Sequence, residues 1–259
     1  MRIEACIFDL FGTIVPVSRM ADYYGTLDAV PARLGIDAAV FRREWDATYR
    51  ERNDGRLPTL EANVVEICAR LGEKARPAEM TASLAPFRSL IRETLNPKPE
   101  SEALLRELAR RGYPLGLISN CNPDVPGLFR SGPLASYFRE TIFSSEVGMA
   151  KPEPGIYLEM IRRLAVRPEA CLYVGDGHGR ELAGAGAVGL ITALLDNGQP
   201  DGYVFDQDTT ADYELADLGA ALGLLAKLER ENRPFEGPVQ RPAPASPETA
   251  PGISSARRA

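Results

Sequence analysis

The chain has 259 residues, of which 44% are hydrophobic and 25% are charged, and its formal net charge is −6. This composition is typical of a globular protein with one sizeable domain, or a core plus a smaller one, and it offers no basic surface for nucleic acid or an anionic membrane. No apolar run reaches the roughly 18 residues that a membrane-spanning helix requires.

Cysteine and histidine usage excludes further classes of site. The four cysteines lie far apart and form no Cys-x-x-Cys pair, so the sequence predicts neither a zinc site nor a disulfide framework. Reduced thiols are typical of the cytoplasm, and we expect this localisation. The single histidine, His178, excludes multi-histidine metal sites, and a Ser-His-Asp triad would have to use it.

The first predicted element is a buried strand over residues 2–8, because this apolar run is too short for a typical helix. Asp9 follows it, and a carboxylate at the end of a buried strand is costly unless it is paired or binds a cation. Gly12 permits a positive φ. Because open α/β sheets bind ligands at such strand ends, Asp9 is the candidate nucleophile, with an ordinary strand-to-loop aspartate as the alternative.

The next stretch, residues 16–95, is predicted to be an all-helical insertion, since it shows helical periodicity and no strand pattern. Trp45 and Tyr49 share one apolar stripe, and we expect both to pack in the core rather than to contact a ligand. Three arginines follow, and we favour a solvated helix end over a contact with an anionic substrate for them: Arg50, Arg52 and Arg56.

Strands alternate with helices beyond residue 95, which predicts an α/β fold with a doubly wound parallel sheet. Strands are predicted at 114–119, 141–143, 170–175, 189–195 and 213–218, and helices at 102–111, 154–164, 180–187 and 219–229. The predicted domains are a core over 1–15 and 96–231 and a helical domain over 16–95. Proline and other residues that do not form a core dominate 232–259, which predicts a disordered tail.

Polar residues follow four of the predicted strands. Because the carboxyl ends of parallel strands share one edge of the sheet, we expect these groups to converge. In chain order they are Asp9, Ser119-Asn120, Lys151, and the pair Asp176 and Glu181. This ordered set of groups indicates the function of the site far better than a single aspartate: a carboxylate, a hydroxyl, a lysine and an acid pair.

These segments resemble the four motifs of the haloacid dehalogenase superfamily. The matching segments are Phe8-Asp9-Leu10-Phe11-Gly12-Thr13, Ile118-Ser119-Asn120, Lys151-Pro152-Glu153-Pro154, and Gly175-Asp176 followed by Glu181. The resemblance covers the predicted core. It implies a Rossmann-like sheet and implies that the helical insertion is the cap domain of the family.

The resemblance also implies a role for each residue of the motifs. Asp9 would be the nucleophile that forms a covalent aspartyl intermediate, and Thr13 would orient it. Lys151 would neutralise the transferring group and the nucleophile. The implied catalytic residues also include Ser119, and the implied substrate-binding residues are Gly12, Ser119, Asn120 and Lys151.

Mg²⁺ is the cofactor that the resemblance implies, with Asp9, the backbone carbonyl of Phe11, Asp176 and Glu181 as its ligands. Three carboxylates around one lysine would repel one another, and Mg²⁺ resolves this repulsion because it favours carboxylate and phosphate oxygens. Glu181 stands where the family usually has aspartate, so its direct contact with the metal stays open.

Phe11 departs from the commonest phosphatase pattern of the family, which has a general-acid aspartate at this position. Haloacid dehalogenases have an aromatic residue there and use no metal, but they carry neutral residues where this chain has Asp176 and Glu181. Residue 11 therefore favours a dehalogenase, whereas the acid pair favours a metal-dependent enzyme.

The expected function is that of a Mg²⁺-dependent phosphatase that acts on a small phosphorylated metabolite through an aspartyl-phosphate intermediate. A 2-haloacid dehalogenase-like hydrolase and a catalytically impaired binding protein remain alternatives. His178 could replace the acid missing at Phe11, although we favour an exposed loop histidine. We expect a monomer or homodimer that binds neither nucleic acid nor membrane.

Overall fold

The computed structural model describes residues 2–75, 77–196 and 210–231 of the chain. Within these residues six strands form one sheet: Ala5–Phe8 (β1), Leu115–Ser119 (β2), Glu140–Phe143 (β3), Cys171–Gly175 (β4), Ile191–Leu195 (β5) and Tyr213–Leu215 (β6). Their order is β3-β2-β1-β4-β5-β6, and all neighbours are parallel. The predicted α/β sheet is confirmed. The predicted tail, 232–259, lies outside the described residues.

Burial explains why these strands were recognisable. Every position of β1, β2 and β4 is buried, because helices cover both faces of the sheet. Such strands read as continuous apolar runs rather than as alternating ones. The predicted and observed bounds of the strands differ most at β1 and β6. β1 begins at Ala5 rather than at residue 2, and β6 ends at Leu215 rather than at residue 218. The paired register of β1 with β4 begins only at Ala5.

The described part of the chain contains twelve α-helices. Six lie between β1 and residue 95: Met20–Leu27 (α1), Ala29–Leu34 (α2), Ala38–Ala47 (α3), Tyr49–Asn53 (α4), Leu60–Arg70 (α5) and Pro77–Thr94 (α6). Six belong to the sheet layer: Pro99–Arg110 (α7), Val125–Arg130 (α8), Ser144–Val147 (α9), Pro154–Leu164 (α10), Glu181–Ala187 (α11) and Ala220–Glu231 (α12). No strand occurs among the described residues of α1–α6, which form the helical cap.

The two faces of the sheet bury different sets of side chains. Cys6 and Phe8 of β1 belong to an apolar cluster that continues into the helical cap. Ala5 and Ile7 belong to a second cluster, formed with α10 and α11. This alternation follows from the period of two along a strand, and it joins the cap and one face of the sheet in a single core.

Of the two aromatic residues predicted to pack in the core, only Trp45 does so. Its ring is fully buried and meets Phe87 edge to face, with 5.5 Å between the ring centroids. Tyr49 is 50% exposed, so its prediction was wrong. The reason is a break between helices: α3 ends at Ala47 and α4 begins at Tyr49, so the helical spacing does not continue from one ring to the other.

Several contacts join the helical cap to the carboxyl edge of the sheet, and two of them are close. Gly55, which follows α4 and has a φ of 78°, lies so close to α9 that a Cβ atom would be 2.5 Å from the carbonyl oxygen of Ser145. Arg88 of α6 donates from Nε to Asp124 Oδ2 at 2.5 Å and from Nη2 to Glu61 at 2.8 Å. These contacts hold the cap above the ends of the strands.

Gly184 of α11 provides a test of the packing that supports this edge. A Cβ atom there would lie 2.6 Å from the carbonyl oxygen of Pro152 and 2.8 Å from the Tyr157 hydroxyl. We expect Gly184→Ala to lower the free energy of unfolding by about 1–3 kcal/mol, because overpacking outweighs the higher helix propensity of alanine.

The matched control is Gly186→Ala in the same helix, where the nearest atom would be Thr192 Cγ2 at an ordinary 3.9 Å. This control is expected to stabilise the protein by about 0.5–1 kcal/mol. Urea denaturation measures both. Equal stability changes in the two variants would contradict the packing described here.

Candidate active site

The sheet order brings the predicted strand-end residues together. Asp9 directly follows β1, which lies between β2, with Ser119 at its end, and β4, which is followed by Asp176. Lys151 follows α9, and Glu181 is the first residue of α11. All five side chains are buried. Their placement at the carboxyl edge of the sheet agrees with the position in which α/β folds bind ligands.

The ammonium group of Lys151 is the centre of this cluster. Nζ contacts Asp9 Oδ1, and it donates to Glu181 Oε2 at 2.5 Å and to the Tyr173 hydroxyl at 3.3 Å. An ammonium group has three N–H donors, so these three oxygens satisfy it completely.

Burial and neighbouring charges both shift the pKa values of Lys151 and Asp9. Burial opposes the charge of Lys151, but the carboxylates of Asp9 and Glu181 outweigh it and raise the pKa of the ammonium group. Burial also raises the pKa of Asp9 above its ordinary range, and Lys151 opposes this shift while Glu181 and Asp176 reinforce it. Lys151 is therefore a permanent cation that cannot by itself balance the acids around it.

Asp9, Asp176 and Glu181 form the group of carboxylates that fits a metal ion. Each offers an oxygen atom, and the three oxygens lie within 4.8 Å of one another. Among the described residues, Asp9 Oδ2 is buried and has no hydrogen-bond partner. Three carboxylates beside one lysine leave an excess of negative charge, so the donor set suits Mg²⁺, which binds carboxylate oxygens.

Besides belonging to this group of carboxylates, Glu181 also binds the ammonium group of Lys151. Oε2 accepts from Lys151 and, at 2.6 Å, from the Tyr173 hydroxyl, and Oε1 accepts from the Gly177 N–H at 3.2 Å. Gly175 makes room for this carboxylate, since a Cβ atom there would lie 2.1 Å from Oε1. The Gly175-Asp176 segment therefore needs its glycine for steric reasons.

Tyr173 is a site residue that the sequence reasoning missed. Its hydroxyl donates to Glu181 and lies beside Lys151, and burial raises the pKa of the phenol far above its ordinary value. A tyrosine inside a buried apolar strand, three residues before Asp176, was the available signal, because a buried hydroxyl needs a polar partner. Tyr157 is also buried, and it donates to the carbonyl of Glu181 at 2.8 Å.

The predicted substrate-binding residues differ in what their side chains do. Gly12 adopts the expected positive φ, 83°, in the turn after Asp9. Asn120 uses its side-chain amide on the backbone of Lys151: Oδ1 accepts from the N–H at 2.8 Å and Nδ2 donates to the carbonyl at 2.9 Å. It therefore positions Lys151. Thr13 is buried, and its hydroxyl has no hydrogen-bond partner among the described residues.

A cavity of about 490 Å³ lies between this cluster and the helical cap. Asp9, Lys151, Asp176 and Glu181 line its polar end together with Phe11. The cap contributes an apolar wall, formed with the segment that follows β1: Val17, Met20, Tyr23, Phe87, Leu90 and Ile91. The cavity is large enough for a small metabolite, and its lining also includes charged side chains of the cap: Asp46, Arg50 and Arg52.

His178 lines the same cavity, so the favoured expectation of an exposed loop residue was wrong. Its side chain is only 15% exposed, and Nε2 lies 3.7 Å from Asp176 Oδ2. The cause is the backbone: Gly177 and Gly179 adopt positive φ values and fold the short 3₁₀ turn, His178–Arg180, back onto the site. Cys121, which also lines the cavity, is buried, and burial raises the pKa of its thiol to about 12.

The three arginines after α3 have different environments. Arg50 and Arg56 are largely exposed, as expected for a solvated helix end, and face Glu153 and Asp54 respectively, although Arg50 also lines the cavity. Arg52 is buried and lines the cavity, so the same expectation was wrong for it. Arg52 is buried because its guanidinium group packs on the Trp45 ring, 4.3 Å from the centroid, and donates to the Trp45 carbonyl at 2.7 Å.

Comparison with known proteins agrees with this architecture. A family model described as haloacid dehalogenase-like hydrolase matches residues 3–189. The glyceraldehyde 3-phosphate phosphatase of Methanopyrus kandleri is 26% identical over 238 residues, which cover 88% of this chain and 100% of the relative. The phosphoserine phosphatase of Thermus thermophilus is 30% identical over 198 residues, which cover 75% of this chain and 72% of the relative.

Solved structures show the same fold. A 2-haloacid dehalogenase from Pseudomonas syringae pv. Tomato superposes with a TM-score of 0.61 at 24% identity, covering 87% of this chain and 99% of the other. A phosphatase from Thermococcus onnurineus superposes with a TM-score of 0.58 at 24% identity, covering 87% and 98%.

The chain belongs to the haloacid dehalogenase-like hydrolases, because the family model spans most of its length. It is therefore a hydrolytic enzyme with the α/β core and helical cap of that family. None of the helices in the described residues is long and apolar enough to cross a membrane.

The carboxylate group predicts a measurable effect of Mg²⁺ on stability. At Mg²⁺ concentrations about a hundredfold above the dissociation constant, we expect the melting temperature to rise by about 5 °C or more, because the ion binds only the folded site. Asp176→Asn removes one charge of the donor set and should reduce this rise to less than half.

Asp54→Asn is the matched control, since Asp54 pairs with Arg56 outside the cavity. It should leave the Mg²⁺ effect unchanged. Differential scanning calorimetry with Mg²⁺ and with EDTA measures the effect. An equal rise in wild type and Asp176→Asn would show that Mg²⁺ binds elsewhere.

Proposed function

We propose that this hydrolase is a Mg²⁺-dependent phosphatase that acts on a small phosphorylated metabolite through an aspartyl-phosphate on Asp9. The observation that carries the proposal is the cluster of Asp9, Asp176 and Glu181 within 4.8 Å beside a single described lysine, Lys151. A neutral carbon–halogen bond needs no such excess of negative charge, whereas a bound Mg²⁺ would balance it and would also bind the oxygens of a phosphoryl group. The relatives named as phosphatases support the same choice.

The proposed role of Asp9 follows from its two oxygen atoms. Lys151 holds Oδ1, and Oδ2 is left without a hydrogen bond from the described residues. A carboxylate oxygen of Asp9 attacks phosphorus in line, the bond from phosphorus to the ester oxygen breaks, and the alcohol leaves with a proton from water. Water then attacks the aspartyl-phosphate, which releases inorganic phosphate and restores the carboxylate.

The other residues of the motifs hold the phosphoryl group and the cation. Lys151 neutralises the phosphoryl oxygens in the transition state, and Ser119, with the backbone around Gly12 and Asn120, binds them. Asp9, Asp176 and the Phe11 carbonyl, together with Glu181, are the proposed ligands of Mg²⁺. When bound, the ion neutralises charge on the carboxylates and on the phosphoryl group. Thr13 orients Asp9 from its buried position in the turn.

A dehalogenase-like activity is the second candidate, and the aromatic side chain at Phe11 favours it. In that reaction Asp9 would displace halide from carbon, and water would hydrolyse the resulting ester. The acid pair is unfavourable for this reaction, because a metal-free site would retain uncompensated carboxylates.

We expect hydrolysis of p-nitrophenyl phosphate that requires Mg²⁺ and is lost on addition of EDTA. Asp9→Asn should lower kcat by at least about 10³-fold, because the amide is not a nucleophile for this step. Nitrophenolate release measures the rate. Metal-independent chloride release from 2-chloropropionate, without phosphate hydrolysis, would reject the phosphatase and support the second candidate.

Phe11 predicts a dependence on the leaving group. Its half-buried ring lines the cavity at the position where the commonest phosphatase pattern of the family has a general acid. We expect kcat/KM for aryl phosphates to exceed that for alkyl phosphates strongly, and Phe11→Asp to narrow the ratio by about 10–10²-fold, since a positioned acid accelerates alcohol departure by 10²–10⁴-fold.

Phe11→Asn is the control for the change in size and polarity, and it should leave the ratio near that of wild type. Both ratios are obtained from phosphate release with p-nitrophenyl phosphate and ethyl phosphate. Equal ratios in the aspartate and asparagine variants would show that residue 11 cannot deliver a proton to the leaving group.

A further inference from the structure

We propose that Arg52 of the helical cap binds a carboxylate of the substrate, so that the preferred substrates are short phosphate esters that carry a carboxylate at the far end. This inference rests on the proposed phosphatase function and adds the substrate class. The observation behind it is a buried guanidinium group that lines the reaction cavity and has no acidic partner among the described residues.

The position of Arg52 puts its charge inside the cavity. The residue belongs to α4, which contacts the carboxyl edge of the sheet through Gly55 and α9, and it is 3% exposed. It lines the same cavity as Asp9 and Lys151. A substrate whose phosphoryl group lies at the sheet edge would have its remaining part in the cavity that Arg52 lines.

The guanidinium group is held firmly on one side. Nη1 donates to the carbonyl of Trp45 at 2.7 Å and to the Thr48 hydroxyl at 3.1 Å. Its central carbon lies 4.3 Å from the centroid of the Trp45 ring and 5.7 Å from that of Tyr49. A group fixed in this way loses little conformational entropy when it binds a ligand.

The other side of the group lacks a protein partner. Within residues 2–75, 77–196 and 210–231, the hydrogen bonds of Arg52 are the two from Nη1, and no carboxylate lies within ion-pair distance. A buried charge without a counter-ion is costly. The remaining donors, on Nε and Nη2, form the edge that binds both oxygens of a carboxylate at once.

The other basic side chains of the cavity wall have acidic neighbours. Lys151 contacts Asp9 and Glu181, and Arg50 lies 3.7 Å from Glu153. Arg52 is thus the cation of the wall whose charge no carboxylate of the described residues balances. An anionic group of the substrate would supply the missing charge.

A purely structural role makes a different prediction. If Arg52 served only to join α3 to α4 by stacking on Trp45, its loss would lower the melting temperature and reduce activity toward all phosphate esters to the same degree. A carboxylate receptor instead affects the ratio between a carboxylated substrate and its neutral counterpart. The ratio therefore separates the two roles.

The experiment uses ω-carboxyalkyl phosphates of two to five carbons, each paired with the corresponding amide, and the full-length enzyme with Mg²⁺. For the best chain length, we expect kcat/KM of the wild type to favour the carboxylate about 10–100-fold, as is typical of a charge-assisted bidentate contact. Arg52→Met should reduce the ratio to near one, and Arg52→Lys should retain part of it.

Arg56→Met is the matched control, because Arg56 is 61% exposed, pairs with Asp54 and does not line the cavity. Its ratio should equal that of wild type. A wild-type ratio near one for every chain length would overturn the inference, and so would an equal loss for acid and amide in Arg52→Met. If Arg52→Met does not fold, the ratio of kcat/KM for acid over amide in the wild type and in Arg52→Lys tests the inference instead.

The same panel of substrates gives a different result if the proposed phosphatase function itself is wrong. If the wild type hydrolyses neither p-nitrophenyl phosphate nor any member of the panel with Mg²⁺, the phosphatase proposal fails and the inference about Arg52 fails with it. If the wild type hydrolyses p-nitrophenyl phosphate but does not discriminate between acid and amide, the phosphatase proposal is supported. Only the proposed carboxylate binding by Arg52 is then rejected.

Discussion

The buried ammonium group of Lys151 is the feature on which the rest of the site depends. It lies between the carboxylates of Asp9 and Glu181, and the Tyr173 hydroxyl accepts its third hydrogen bond. An interior charge is tolerated only where partners replace the water that it has lost. The sheet provides these partners because β1 and β4 are neighbours and both end at the same edge.

Several residues without chemistry of their own are explained by this arrangement. Gly175 leaves space for the carboxylate of Glu181, and Gly184 lets α11 approach the backbone of Pro152. Asn120 binds the backbone of Lys151 on both sides. Segments distant in sequence thus fix one cation, and the carboxylates around it still outnumber it. That imbalance makes a divalent cation a suitable ligand, and a bound cation would in turn attract a phosphoryl group.

The helical cap and the edge of the sheet contribute different properties to the cavity. Asp9 and Asp176 directly follow strands, whose positions the hydrogen-bonded ladder fixes, whereas the cap supplies an apolar wall and the guanidinium group of Arg52. Arg88, bound to Asp124 of the core and Glu61 of the cap, ties the two parts together. The proposed chemistry therefore depends mainly on the edge of the sheet, and the proposed selectivity depends on the short helix α4.

The sequence by itself determined the parallel sheet, the helical insertion and the strand ends that carry Asp9, Ser119 and Asp176. Burial on both faces requires continuous apolar runs, and parallel strands end at one edge, so local pattern was sufficient. Only the tertiary structure decided that Glu181 holds Lys151, that Tyr173 joins them, and which side chains after α3 are buried. These outcomes depend on a break between two helices and on contacts between segments far apart in the chain, which no periodicity within one segment records.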